Sequence, residues 1–159
     1  MRATLIKRVA VIITLFVSCA LLGNKVYQYN NEPTRVYQGV WEGLGHLNIG
    51  GHPLKSEATL IIEPGLARLS IVNSFNEHNY TYDAELLLRR YEHELTHLEV
   101  TNRTVNGLDT FIANSNILVP NQGTLLHGNI WRLEEGKLIL KMKLTNQQNA
   151  IYILEKTAG

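Results

Sequence analysis

One short pattern in this chain is typical of catalytic chemistry, His93-Glu94-Leu95-Thr96-His97. It matches H-E-x-x-H, in which two histidines bind Zn²⁺ and the glutamate acts on a zinc-bound water. The chemistry requires a helix, because residues four positions apart share one helix face. An apolar stripe at helical spacing accompanies the pattern: Ala84, Leu88, Tyr91, Leu95 and Leu98.

The rest of the sequence offers this zinc site little support. No histidine or glutamate occurs between Val100 and Leu126 to act as a third ligand, and His127 lies within a predicted strand. The same residues fit a hairpin whose histidines and glutamates face water, so segment 84–100 stays open between helix and hairpin. We therefore predict no catalytic, cofactor-binding or metal-binding residues and a chain that is not an enzyme. A zinc hydrolase is the least favoured alternative.

The elements around the pattern read mainly as β-strands. Turn signals such as Glu63-Pro64-Gly65 separate short apolar runs, and several runs alternate with period two. This spacing predicts an antiparallel barrel or sandwich with at most one or two short helices, one of them within Gly107–Leu118. Two sets of alternating residues carry the prediction: Tyr80, Tyr82, Ala84, Leu86 and Leu88, and Leu138, Leu140, Met142 and Leu144.

The N-terminal segment predicts where the chain works. Arg2, Lys7 and Arg8 precede the uncharged apolar run Val9–Gly23. Because basic residues stay cytoplasmic, we predict a single-pass inner-membrane anchor with the C-terminal domain in the periplasm. The run is shorter than the ~20 residues of a typical span, so two alternatives stay open. They are cleavage of a signal peptide and acylation at Cys19 as a lipoprotein.

Composition limits the functions of the remaining chain. We predict a membrane segment over residues 1–27, a linker over 28–34 and one β domain over 35–159. The net charge of +1, with acids and bases interspersed, gives no reason to expect direct nucleic-acid binding. Cys19 is the only cysteine, so the exported domain has no disulfide and no thiol chemistry.

Several stretches resemble known families. Gly39-Val40-Trp41 is similar to the G-x-W that opens lipocalin barrels, which implies that Trp41 closes one barrel end. Trp131 is predicted to be a core or interface residue. The layout as a whole resembles the FidL-like membrane proteins and, more distantly, the ToxS and VtrC proteins. The stretches that look alike are Val40-Trp41-Glu42, Leu69-Ser70-Ile71-Val72 and the closing hairpin Leu138–Leu154.

The resemblance implies a specific role without a cofactor. Proteins of this kind bind and stabilise a ToxR-like, membrane-bound transcription regulator, and the VtrC branch takes bile salts in a lipocalin-like barrel. We therefore expect the β domain to bind such a regulator, with an amphipathic small molecule as a further ligand. An open barrel would leave an unpaired edge for a partner strand. The alternative is a stand-alone periplasmic module, anchored or lipidated, that binds a lipid or bile-type ligand.

Overall fold

A computed structural model describes residues 2–30, 32–90, 95–119, 125–144 and 149–157. Contacts within the chain form two separate units, Met1–Glu32 and Pro33–Gly159. The first unit contains helix α1 (Arg2–Asn30), which extends three residues into the predicted linker 28–34. Apolar side chains of α1 are exposed on its surface, and Phe16 is 78 % exposed. Within the described residues, no helix reaches the combination of length and apolar character that crossing a bilayer requires.

The second unit is an eight-stranded antiparallel barrel. Each strand pairs with the next along the chain, and the last strand pairs with the first. The ring is therefore closed, which corrects the expectation of an open barrel. A short helix, α2 (Pro33–Val36), precedes the ring, and α3 (Leu108–Ser115) lies between the fifth and sixth strands. The strands are β1 (Gly39–Ile49), β2 (His52–Glu63), β3 (Leu66–Phe75), β4 (His78–Arg90), β5 (Thr96–Asn106), β6 (Leu125–Glu134), β7 (Lys137–Leu144) and β8 (Asn149–Lys156).

Tight turns join most neighbouring strands. The β1–β2 turn is the pair Gly50-Gly51, with φ of +59° and +87°, a geometry that glycine adopts without steric cost. The β3–β4 turn begins at Asn76 with φ of +54°, which asparagine tolerates better than most residues. At both turns the flanking strands pair up to the turn itself.

The core fills the inside of the ring. Residues alternate between buried and exposed positions, so each strand turns one face inward. Both alternating sets predicted from the sequence are buried, and α3 adds Leu108 and Phe111 to the same cluster. The Phe111 ring meets Tyr80 edge-on, with 4.9 Å between ring centroids. A mainly β fold with few short helices is thus confirmed.

Trp41 lies at the end of the barrel where β1 begins. Its side chain is buried, and the indole Nε1 donates to the Tyr37 carbonyl at 2.8 Å. Lys156 Nζ lies 5.5 Å from the centre of the Trp41 ring. Trp41 is therefore a core residue at this end of the barrel, and the lipocalin resemblance stays a prediction.

Candidate functional site

The second half of the H-E-x-x-H pattern is a strand. Thr96 is buried and His97 half-buried at the start of β5, on opposite faces. Residues 84–90 and 96–100 lie on two paired antiparallel strands, so the helical interpretation is wrong there. The cause is pairing: hydrogen bonds to a neighbouring strand outweigh a helical stripe that is only local. His93 and Glu94 lie outside the described residues.

His97 makes cross-strand contacts on the outer face. Its Nδ1 lies 3.2 Å from Asn129 Oδ1, and its ring centroid lies 5.6 Å from that of His127. In the part of the chain that the structure describes, no three histidine, cysteine, aspartate or glutamate side chains converge on one point that could hold a metal ion. The described geometry thus assigns His97 a cross-strand polar contact.

A polar cluster lies inside the barrel, among mostly apolar side chains. Ser56 Oγ donates to Asn73 Oδ1 at 2.7 Å and shares a hydrogen bond of 2.9 Å with the Tyr152 hydroxyl. Burial raises the pKa of Tyr152 from 10.0 to about 12, and the Ser56 hydrogen bond opposes part of this shift. Burial first, and the neighbouring Tyr152 second, also raise the pKa of Tyr80. These hydroxyls are neutral at ordinary pH, and the cluster has no base that could activate one of them.

The barrel has one short seam, between β5 and β6. These strands pair only from Thr96 to Glu99, opposite Ile130 to His127. By contrast, β4 pairs with β5 along nearly its whole length. Among the described residues, no strand pairs with residues 100–106 on the side that faces β6. This free edge, residues 100–106 of β5, presents backbone N–H and C=O groups without a described strand partner.

A β-bulge explains why the seam ends there. Glu85 is the register partner of Asn102 and Leu86 that of Val100, so Thr101 is an extra residue in β5. Its Oγ1 donates to the Glu85 carbonyl at 3.2 Å, which fixes the bulge against β4. Because a bulge bends its strand and increases the twist, β5 turns away from β6 directly after Glu99.

Cavities flank the free edge. One, of about 360 Å³, lies between the edge and the start of α3, with Arg103, Val105 and Leu108 in its lining. Another, of about 340 Å³, lies along β3, β4 and β5 and includes Arg68. Arg103 borders both, and its positive charge counteracts the rise that burial causes in the pKa of Tyr82. An extended chain added to this edge would therefore meet open space and a cation.

The sequence reasoning missed β5 beyond Leu98. Residues 101–104 are all exposed, so this part of the strand has no buried face and no apolar alternation. The β-branched residue Thr101, between Val100 and Val105, is a signal that favours a strand. Its polar neighbours Asn102 and Arg103 interrupt the alternation of apolar and polar residues.

Comparison with known proteins adds no family to this description. No protein-family model, no curated protein and no solved structure matches the chain.

Proposed function

We propose that this chain is a non-enzymatic binding partner that accepts an extended strand at the free edge of β5. The observation that carries the proposal is the short seam: pairing with β6 ends at Glu99, and no described strand pairs with that edge of β5 from residue 100 to residue 106. The partner we propose is the periplasmic part of a ToxR-like, membrane-bound transcription regulator, which binding would stabilise.

Strand addition suits this edge for two reasons. Main-chain hydrogen bonds supply affinity, and the side chains along the edge supply selectivity. Residues 101–104 are exposed and have no described strand partner on the side that faces β6. Arg103 favours a partner strand that carries an acidic residue opposite it.

The proposed location is the inner membrane, with the N-terminus in the cytoplasm and the barrel in the periplasm. Arg2, Lys7 and Arg8 before the apolar run support this orientation. The exposed apolar side chains of α1 supply the surface that lipid would cover. If both partners are held at one membrane, their effective concentration rises, and a modest interface is sufficient. An intact-mass measurement of the mature chain distinguishes a retained segment from a cleaved or an acylated one.

Photo-crosslinking tests the proposed edge. The full chain, with a photoreactive phenylalanine analogue at Thr104, is co-expressed with the periplasmic part of a ToxR-like regulator from the same genome. We expect a specific crosslinked product at Thr104 and none at Glu57, which is likewise exposed within a strand. Equal crosslinking at both positions, or none at either, would contradict the proposal.

Proline substitutions give a second test. Adjacent residues of a strand direct their N–H groups to opposite edges, so Arg103→Pro and Thr104→Pro differ in which edge loses its donor. We expect one variant to lose regulator binding with normal thermal stability and the other to lose stability. If the variant with normal stability binds the regulator as wild type does, strand addition at this edge is wrong.

A second candidate function rests on the interior polar cluster. Ser56, Asn73 and Tyr152 place hydrogen-bonding groups within an apolar lining, the arrangement that small-molecule sites use. We propose an amphipathic ligand, such as a bile acid or a fatty acid, that enters when the short seam opens. Native mass spectrometry with cholate and palmitate tests this. Binding that Tyr152→Phe does not weaken would exclude the cluster as the ligand site.

A further inference from the structure

An apolar row crosses the outer surface of four strands. Trp131, Ile139, Ile153 and Leu44 are consecutive register partners on β6, β7, β8 and β1, and all of them point outward. Ile153 is 52 % exposed and Leu44 60 % exposed, and Ile151 beside them is 52 % exposed. We call these five residues the apolar row.

The opposite outer surface has a different character. The register row that continues from Leu44 across β2, β3, β4 and β5 is mainly polar: Glu57, Val72, Thr81 and Asn106. A contiguous row of exposed apolar side chains is typical of an interaction surface rather than of a solvated face.

The two flanks of the apolar row carry opposite charge. On one side of the row, two residues farther along their strands, lie Glu42, Glu155 and Lys137. Glu134 is the register partner of Lys137 and lies three residues from Trp131, after an irregularity in β6. Lys137 is bound to both neighbours, at 2.7 Å from Glu134 and 3.8 Å from Glu155, so this flank stays acidic.

On the other side of the apolar row, two residues farther along their strands, lie His46 and Lys141. Lys143 follows Lys141 on β7. Lys141 and Lys143 line a surface cavity of about 340 Å³ together with His127 and Asn129, and its described lining contains no carboxylate. This flank is therefore basic and concave, whereas the first is acidic.

We propose that the apolar row joins two copies of this chain in an isologous pair. In such a pair the two-fold axis lies in the plane of the interface. If the axis runs along the apolar row, the acidic flank of each copy meets the basic flank of the other. Glu42 then faces His46 of the second copy, and Glu134 faces Asn129 at the side of its Lys141–Lys143 cavity. Lys137, which is paired with Glu134 and Glu155, faces Lys141. An axis along the strands would instead set acid against acid, so the charges select the first arrangement.

This arrangement leaves the β5 edge outside the interface, since the apolar row lies on β6, β7, β8 and β1. The inference is independent of the proposed function. A pair could carry one partner strand on each copy.

Cysteine trapping tests the pair in the full chain. Residues on the two-fold axis meet their own counterparts, so Ile153→Cys in a Cys19→Ser background is expected to form an intermolecular disulfide on mild oxidation. The matched control is Glu85→Cys, which is exposed on β4 far from the apolar row. We expect at least a tenfold higher yield of crosslinked dimer at Ile153. This contrast also separates the interface from association through α1, which would not favour one barrel position. Equal yields would overturn the proposal.

Charge exchange supplies the second test, by sedimentation velocity in neutral detergent. Glu155→Lys is expected to weaken the dimer at least tenfold, and Lys141→Glu in the same chain is expected to restore it. Ile153→Lys should give a monomer, and Leu44→Lys provides the same test if that variant does not fold. A chain that is monomeric at all concentrations, or a row that binds only lipid vesicles or another protein, would overturn the proposal.

Discussion

Two strand pairs of the barrel differ in how closely they associate. Strands β8 and β1 approach each other closely, whereas β5 and β6 pair over only a short stretch. At the β8–β1 seam, Gly43 and Gly45 let the strands approach so closely that an added Cβ would collide with Ile153 and with the Tyr152 ring. At the β5–β6 seam the pairing ends at Glu99, and residues 101–104 beyond it are all exposed. The difference indicates that stability is concentrated around β1 and β8, and that the ring opens first beside β5.

The most severe way to break this comparison is Gly43→Val. The new side chain would point at the Ile153 carbonyl and the Leu154 backbone, which cannot move without separating β1 from β8. We expect a loss of more than about 4 kcal/mol in the free energy of unfolding, or failure to fold. Urea unfolding followed by circular dichroism measures it. Thr104→Val on the free edge is the control and should change stability by less than about 0.5 kcal/mol.

Hydrogen exchange sharpens the same comparison without a mutation. Backbone amides of residues 100–106 on the side facing β6 lack a described strand partner, whereas those of β1 and β8 are paired across the closed seam. We expect the slowest amides of the closed seam to exchange at least 100-fold more slowly than those of the free edge, a difference of about 3 kcal/mol. Similar protection on both sides would mean that residues 100–106 are covered.

Alkaline pH should lower the stability of the barrel by a smaller amount, through ionisation of a tyrosine buried inside it. The folded pKa of Tyr152, about 12, lies above its ordinary value of 10.0. The stability that this burial supplies is therefore complete below pH 10 and is lost as the pH rises through 12. We expect a loss of about 2 kcal/mol, with phenolate absorbance appearing together with unfolding. In Tyr152→Phe the pH dependence should become shallower. Ionisation of Tyr152 near pH 10 in the folded protein would contradict the burial.

Local patterns in the sequence predicted the strands that have one buried face and one exposed face. Leu138 to Leu144 alternate in the sequence and in the barrel, and α3 falls within its predicted range Gly107–Leu118. The prediction of strands failed where contacts with distant residues outweigh the polarity of the local sequence. The polar run from Asn73 to Asn79 is typical of a loop, but β3 continues to Phe75. Asn73 lies inside the barrel, where Ser56 donates a hydrogen bond to its side chain.

The candidate sites depend on contacts between distant parts of the chain. Leu44 and Trp131 belong to one apolar row only through the registers of β6, β7, β8 and β1, which no local pattern encodes. The short seam likewise depends on the bulge at Thr101, whose effect is visible only once β4 and β6 are both in place. Trp131, predicted to be a core or interface residue, is half-buried on the outer face and lies outside the core cluster, so an interface role stays a prediction.

The closing contact of the ring also brings its two chain ends together. The amide and hydroxyl of Thr157 both donate to the Val40 carbonyl, at 2.9 and 3.1 Å. A short peptide could therefore splice the end of β8 to the start of β1, and new termini could be cut at the Glu135-Gly136 turn. Such a circular permutant would retain every strand pair of the barrel. We therefore expect the barrel to fold whichever of its strands the N-terminal helix precedes.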